Sequence, residues 1–226
     1  MKKITLLITL VVIFSCNKKV VELPEISHSE ITEIEDVSAA YLFYVETQPD
    51  SVALNRKNLI STTNWLVNVD KRLTLKQAIP HIKYLQDKKA NAGHKNENAK
   101  NYFTCHDTSI NNLGFMEFTD VVYSESSFSK FTENILPKKP VLILQIEQDG
   151  KIHVFDLFAH KISNIGIIDI ENSDEFKNIN SVIKTYSEVI LKFNSKLNFQ
   201  NYISIKSKLL GLDIENVIIS ENEFIY

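Results

Sequence analysis

Residues 189–209, VILKFNSKLNFQNYISIKSKL, and residues 65–85, WLVNVDKRLTLKQAIPHIKYL, align without a gap when Asn194 is set on Asp70. Leu197 then falls on Leu73, Ile203 on Ile79 and Leu209 on Leu85, with Lys196 on Arg72 and Asn198 on Thr74. Each stretch opens on a run of strand composition and continues with apolar residues at helical spacing, Leu75, Ile79, Ile82 and Leu85 in one and Phe199, Ile203 and Leu209 in the other. Between strand and helix stands a residue able to cap the helix: Thr74, with Gln77 placed as in a capping box, and Asn198. Pro80 removes an internal hydrogen bond, so the first helix is expected to open as a 3₁₀ turn or to begin at Ile79. A strand that leads into an amphipathic helix, twice, is the expected frame of the chain.

A hairpin precedes each copy. Tyr41, Phe43 and Val45 alternate with Leu42 and Tyr44, Gln48-Pro49-Asp50-Ser51 supplies a turn, and Val52-Ala53-Leu54 returns. The second hairpin runs from Val141 to Gln148 and from Lys151 to Ala159 around Asp149-Gly150, read as a two-residue turn. That turn sets Leu142, Leu144 and Ile146 with Leu157, Phe155 and His153 on one face. Ser173 or Asp174 is expected to cap a helix bearing Phe176, Ile179, Ile183 and Tyr186, which has no counterpart in the first copy. Gly211 reads as a helix stop, Val217-Ile218-Ile219 as a closing strand and Leu113 to Tyr123 as containing a strand. The polar stretch from Gln86 to Asn112 is the expected mobile loop. The prolines of Leu136-Pro137-Lys138-Lys139-Pro140 mark a boundary. The expected fold is α+β, with two small sheet-and-helix units, each hairpin-strand-helix-strand, over residues 39–136 and 137–226.

The second unit carries a resemblance. VILKFNSKLNFQNYISIKSKLLGLDIENVIIS, behind the Asp149-Gly150 hairpin, resembles the periplasmic domain of the ExbD/TolR family, in which a strand ends in an acidic residue and a helix and final strand follow. The match covers about Val141 to Ser220 and places Asn194 at the acidic position. The resemblance implies a soluble module that dimerises by strand pairing and contacts envelope proteins or peptidoglycan. The family's transmembrane helix with its proton-carrying aspartate is not matched here, so proton-driven work does not carry over.

At the N-terminus Lys2 and Lys3 precede an apolar run from Ile4 to Phe14, too short at about 1.5 Å per residue to cross a bilayer core as a helix. This is signal-peptide patterning. Ile13-Phe14-Ser15-Cys16 resembles the lipobox of bacterial lipoproteins, which implies cleavage after residue 15 and acylation of Cys16, palmitate included. Several acyl chains on one cysteine hold a protein on a membrane almost permanently. Asn17 is not the acidic residue associated with inner-membrane retention, so the expected place is the outer membrane, facing the periplasm. Residues 16–38, polar and increasingly acidic, are expected to form the lipidated N-terminus and a tether.

Composition narrows the function. A hydrophobic content of 44% with 23% charged residues is globular, and a net charge of −3 does not suit a nucleic-acid surface. With Cys16 acylated, Cys105 stands alone and no internal disulfide forms. Thr104-Cys105-His106-Asp107 is the one cluster that invites an enzyme reading, since an imidazolium beside a thiol lowers its pKa. Adjacent residues of an extended chain point oppositely, which opposes that reading. The histidines His28, His81, His94, His106, His153 and His160 lack metal-ligand spacing, with His94 and His106 the pair in the polar stretch that could meet and His153 expected at the rim of the hairpin's apolar face. No cofactor motif is present. The leading expectation is a non-catalytic binding or scaffold lipoprotein of the cell envelope. The alternatives are a periplasmic thiol or hydrolytic enzyme using Cys105 and His106, and an immunity or inhibitor lipoprotein.

Overall fold

The computed structural model describes residues 19–48, 50–125, 128, 131, 140–159, 161–169, 179–212, 214 and 216–226. The expected signal peptide, Cys16, His160, residues 136–139 of the expected boundary and the expected caps Ser173 and Asp174 lie outside the described residues. The protein is a mixed α/β fold with two sheets and more strand than helix. The first half supplies β1 (Glu25–Ile26), β2 (Val37–Tyr44), β3 (Val52–Asn55), β4 (Asn64–Val69), α1 (Leu75–Ala90), β5 (Asn101–Asp107), β6 (Asn112–Glu117) and β7 (Val122–Ser124). The second supplies β8 (Val141–Ile146), β9 (Lys151–Phe158), β10 (Lys161–Asp169), β11 (Glu188–Phe193), α2 (Phe199–Leu210) and β12 (Ile218–Ile225), with a helical turn at 179–183 ahead of β11.

In the first sheet β3 pairs antiparallel with β2, β2 parallel with β4, and β4 parallel with β5, which also bonds β6 and, at its end, β1. In the second, β9 pairs antiparallel with β8, β8 parallel with β11 and β11 parallel with β12. Val37 stands opposite Asn64 and Leu42 opposite Val69 in one sheet, as Val141 stands opposite Glu188 and Ile146 opposite Phe193 in the other.

The two strand-to-helix junctions bond to each other. The Leu75 N–H donates to the Leu197 carbonyl at 2.9 Å and the Phe199 N–H to the Leu73 carbonyl at 2.7 Å. One step out, the Lys76 N–H donates to Ser195 at 2.8 Å and the Gln200 N–H to Lys71 at 3.1 Å. Each bond thus has a counterpart made by the residues aligned with its donor and its acceptor, the reciprocity of a two-fold contact. Around this junction one core cluster joins Leu42, Val67, Ile79 and Phe103 of the first half to Leu144, Phe193, Tyr202 and Ile203 of the second. Phe103 stacks on Phe118 at 3.9 Å between ring centroids and meets the Phe199 ring edge-on at 5.2 Å.

Several expectations are corrected. The stretch Gln86–Asn112 is not one loop: α1 continues to Ala90, and β5 is buried at six of its seven positions. Its polar residues misled because Asn101, Thr104 and Asp107 are buried polar groups in a central strand. The expected tether is docked from Glu22 on, with β1 beside the end of β5 and Ile31 bridged to Phe115. The second hairpin turns through three residues, with Gly150 at φ 84° and the Glu147 N–H bonded to the Lys151 carbonyl. Its register is therefore one residue off the expected one: Ile146 faces Ile152 and Leu144 faces Val154, and it is Ile152 and Val154 that enter the main core.

The helix α1 starts at Leu75 despite Pro80, because Pro80 and Lys76 lie on the solvent side, where water satisfies the freed carbonyl. Gly211 has φ −77°, so its glycine freedom is not used. The closing strand runs to Ile225, and β10 was not anticipated. Finally, β7, from the first-half range, pairs with β12 in the second sheet, so the two sheets are not built strictly from 39–136 and 137–226.

Candidate functional site

The cysteine-histidine cluster lies on β5. Cys105 is fully buried in the core beside Phe103, and burial pushes its thiol up to about 12. Alternation turns His106 to the other face, where its Nε2 lies 3.2 Å from Asn111 Oδ1. Asp107 is committed to structure, its carboxylate accepting from the Ser109 hydroxyl at 2.6 Å, the Ser109 N–H at 2.9 Å and the Ser29 N–H at 2.7 Å. The hydrogen bond from the Ser109 hydroxyl is the main cause that holds it below the usual carboxylate range. The residues are adjacent in sequence and are not brought together as nucleophile, base and orienter.

Among the described residues no three or more histidine, cysteine or carboxylate side chains gather as a metal site. His94 lies in the loop after α1, its carbonyl accepting from Ser61, and His106 lies near the far end of β5 opposite Glu25. His153 is half-buried on β9.

The aligned pair Asp70 and Asn194 closes the same loop in both halves. An Asp70 carboxylate oxygen accepts from the Arg72 N–H at 3.1 Å, and the Asn194 amide oxygen accepts from the Lys196 N–H at 3.0 Å. Asp70 does more, receiving the Arg72 guanidinium at 2.7 and 2.8 Å and the Glu22 N–H at 3.2 Å. Burial pushes its carboxyl up, but these donors outweigh burial and hold it below the usual range. Asp70 and Asp107 are two anchors of the N-terminal segment.

The most unusual chemistry lies where β7 and α2 meet β12. Between Val189 opposite Ile219 and Leu191 opposite Glu223, β11 advances two residues and β12 four, and past this bulge the Glu223 side chain is buried. Tyr202 and Lys206, one turn apart on α2, reach it: the Tyr202 hydroxyl donates to one carboxylate oxygen at 2.7 Å and the Lys206 ammonium bonds the other. Tyr123 of β7 completes the chain, its hydroxyl 3.1 Å from that of Tyr202. Burial, and next the charge of Glu223, push both phenols well above their usual range. All four side chains are buried.

A cleft of about 280 Å³ reaches Lys206 and Glu223, and another of about 600 Å³ reaches Tyr123, with the loop Thr119-Asp120-Val121 lining both. The carboxylate has a donor on each oxygen, so the arrangement acts as a clasp that fastens a first-half strand into the second sheet. Sequence reading missed it, although Lys206 on the apolar stripe of α2 and a lone Glu223 beside Phe224 and Ile225 were its visible signs. Lys89, in the larger cleft, is likewise committed: its ammonium donates to the Lys100 carbonyl at 2.9 Å and to Asn101 Oδ1 at 3.0 Å, and burial lowers it to about 8.

The surface offers a different opportunity. β10 ends the second sheet, and among the described residues no strand pairs with its far edge. Phe158, Ile162, Ile165 and Ile167 of the β9–β10 hairpin are 46 to 57% exposed. An uncovered edge strand with apolar side chains is a template for another strand. No protein-family model, no curated protein and no solved structure matches the chain.

Proposed function

We propose that the chain is a lipid-anchored protein of the bacterial cell envelope, held on the outer membrane through Cys16 and facing the periplasm, that works as a binding or scaffold module. The observation that carries the binding half of this reading is the far edge of β10, with which no strand pairs among the described residues, together with the exposed side chains of Ile162, Ile165 and Ile167 on that strand. Extended segments of envelope proteins, or a second copy of the chain, add to such an edge by main-chain hydrogen bonds. The anchoring half rests on Lys2, Lys3, the apolar run and Ile13-Phe14-Ser15-Cys16.

The module itself is read as two copies of one hairpin-strand-helix-strand unit, the second akin to the periplasmic domain of ExbD/TolR proteins. Matching strand registers, matching Asp70 and Asn194 loops and the reciprocal bonds between the two junctions support the duplication. A role beside an envelope energy-coupling complex follows from the kinship.

The test uses the full chain in its own bacterium. A clickable palmitate analogue should label the protein and fail to label Cys16→Ala. A photo-crosslinking residue at Ile165 should capture one envelope component, and Ile162→Lys with Ile167→Lys should abolish the capture. Labelling that survives Cys16→Ala refutes the anchor. Capture that is absent, or indifferent to the lysines, refutes the edge as the binding surface.

A further inference from the structure

The point at which the chain reaches the fold determines which face meets the membrane. Only Asn17 and Lys18 separate Lys19 from Cys16. At no more than about 3.6 Å per residue, the Lys19 Cα lies within about 11 Å of the Cys16 Cα. From there the chain is held down. Val21 and Leu23 share a shallow groove of about 300 Å³ with Tyr41, Phe43 and Asn68, and Glu22 is bonded to Asp70 and Lys71 through its backbone. A lipid on Cys16 therefore has a few residues of slack instead of the twenty or so that an undocked tether would give. The headgroup layer on one side of a bilayer is itself about 5–8 Å thick.

That stretch crosses the face of β2, β3 and β4 turned away from α1, since Ala40, Leu42, Val67 and Val69 point into the core and Tyr41 and Phe43 alternate with them. Beside Lys19 lies an open depression of about 590 Å³ walled by Phe43, Asn55, Arg56 and Lys57. Among the described residues its lining holds Lys19, Arg56 and Lys57 and no carboxylate, and of the three cations Arg56 is turned to the Tyr84 ring of α1, 5.0 Å away. The Lys19 ammonium is 5.9 Å from the Phe43 ring, and the Tyr41 and Phe43 rings stack at 5.9 Å. Amphipathic aromatic rings settle at membrane interfaces, and basic side chains are drawn to anionic headgroups.

We propose that this outer face of the first sheet, around Lys19, Tyr41, Phe43 and Lys57, rests on the anionic phospholipid headgroups of the membrane that holds Cys16. The proposal rests on the anchoring reading above and adds an orientation to it. The lipoprotein is then fixed flat against the leaflet by its lipid and by this face, with no freedom to swing on a long leash.

The full chain, processed in cells and purified in detergent, is reconstituted into vesicles of phosphatidylethanolamine and phosphatidylglycerol that carry a headgroup nitroxide. Cys105 is buried and Cys16 acylated, so a bimane label reports only an introduced thiol. Bimane at Asn55→Cys should be quenched several-fold more than bimane at Ile162→Cys, and Lys19→Glu with Lys57→Glu should reduce the quenching at 55 while the protein stays on the vesicles. Equal quenching at the two sites, or quenching at 55 that ignores the charge reversal, overturns the orientation while leaving the anchor intact. An intact mass without acyl chains overturns the anchor, and the orientation with it. Circular dichroism of the charge-reversed variant confirms that these exposed positions leave the fold in place.

Discussion

At Glu223 the decisive matter is what a buried charge costs when its partner is removed. Lys206→Met strands the carboxylate and Glu223→Leu strands the ammonium, and either should lower stability by about 3–5 kcal/mol. The double variant replaces the pair by apolar volume and should recover most of that loss, giving a large coupling energy in a double-mutant cycle of urea melts. Additive losses would mean that the pair is not a unit. Tyr123→Phe removes one hydroxyl bond and should cost about 1 kcal/mol. Cys105 gives a second residue-level expectation. With its thiol pushed up to about 12 and no surface exposed, it should resist a thiol reagent across neutral pH and react only at a rate set by unfolding. Saturable labelling of the native protein with a titration near pH 7 would restore the thiol-enzyme alternative. Neither site was legible in advance for one reason: burial is a property of three-dimensional packing, and the polar letters around Cys105 imitate a loop.

Among the elements, the two capped strand-helix segments were the most legible, because capping and helical periodicity are local. The Gln77 side chain accepts from the Thr74 N–H at 2.8 Å, the Asn198 side chain accepts from the Asn201 N–H at 2.7 Å, and α2 spans Phe199–Leu210, between the expected cap Asn198 and the expected stop Gly211. What sequence did not reveal depends on remote partners. The N-terminal segment looks like a polar leash, yet it is bound by the carboxylates of Asp70, just past β4, and Asp107, on β5, and approaches closely a glycine on β6. A Cβ added at Gly114 would stand 2.6 Å from the Ser29 Cβ, so this glycine is needed for close approach of the segment. Gly114→Ala should therefore loosen residues 22–31 and speed their amide exchange before it affects β8 or β11. Acid should do the same. Asp70 and Asp107 both have folded pKa values below the ordinary range, so their stabilisation is complete above the unfolded value and is lost as pH falls through the folded one. Hydrogen exchange followed down from pH 5 should show the N-terminal segment released first, and uniform loss of protection would contradict its dependence on these two anchors.

For the whole molecule, the question is whether two sheets make two folding units. Sequence suggests that they do, with the boundary near residues 136–140, and the matched registers of β2–β4 and β8–β11 agree with a chain made of like parts. The packing argues for one unit. β7 leaves the first half to pair with β12, Glu25 exchanges backbone bonds with the Gln200 side chain on α2 at 2.8 Å, and Phe103 sits against Phe199 and Tyr202 in a core cluster shared by both halves. Isolating residues 137–226 would uncover Phe199 and Tyr202, take the β7 partner from β12 and leave the N–H groups of Phe199 and Gln200 without their acceptors. At about 25 cal/mol per Å² of apolar surface, losing such a contact removes stability comparable to the whole margin of a domain of that size. Calorimetry of the full chain should therefore give a single transition whose calorimetric and van't Hoff enthalpies agree. The 137–226 fragment should show no cooperative melt until the 19–136 fragment is added in trans. Two resolved transitions, or an independently folded second fragment, would make the junction a contact between finished domains and not part of one core.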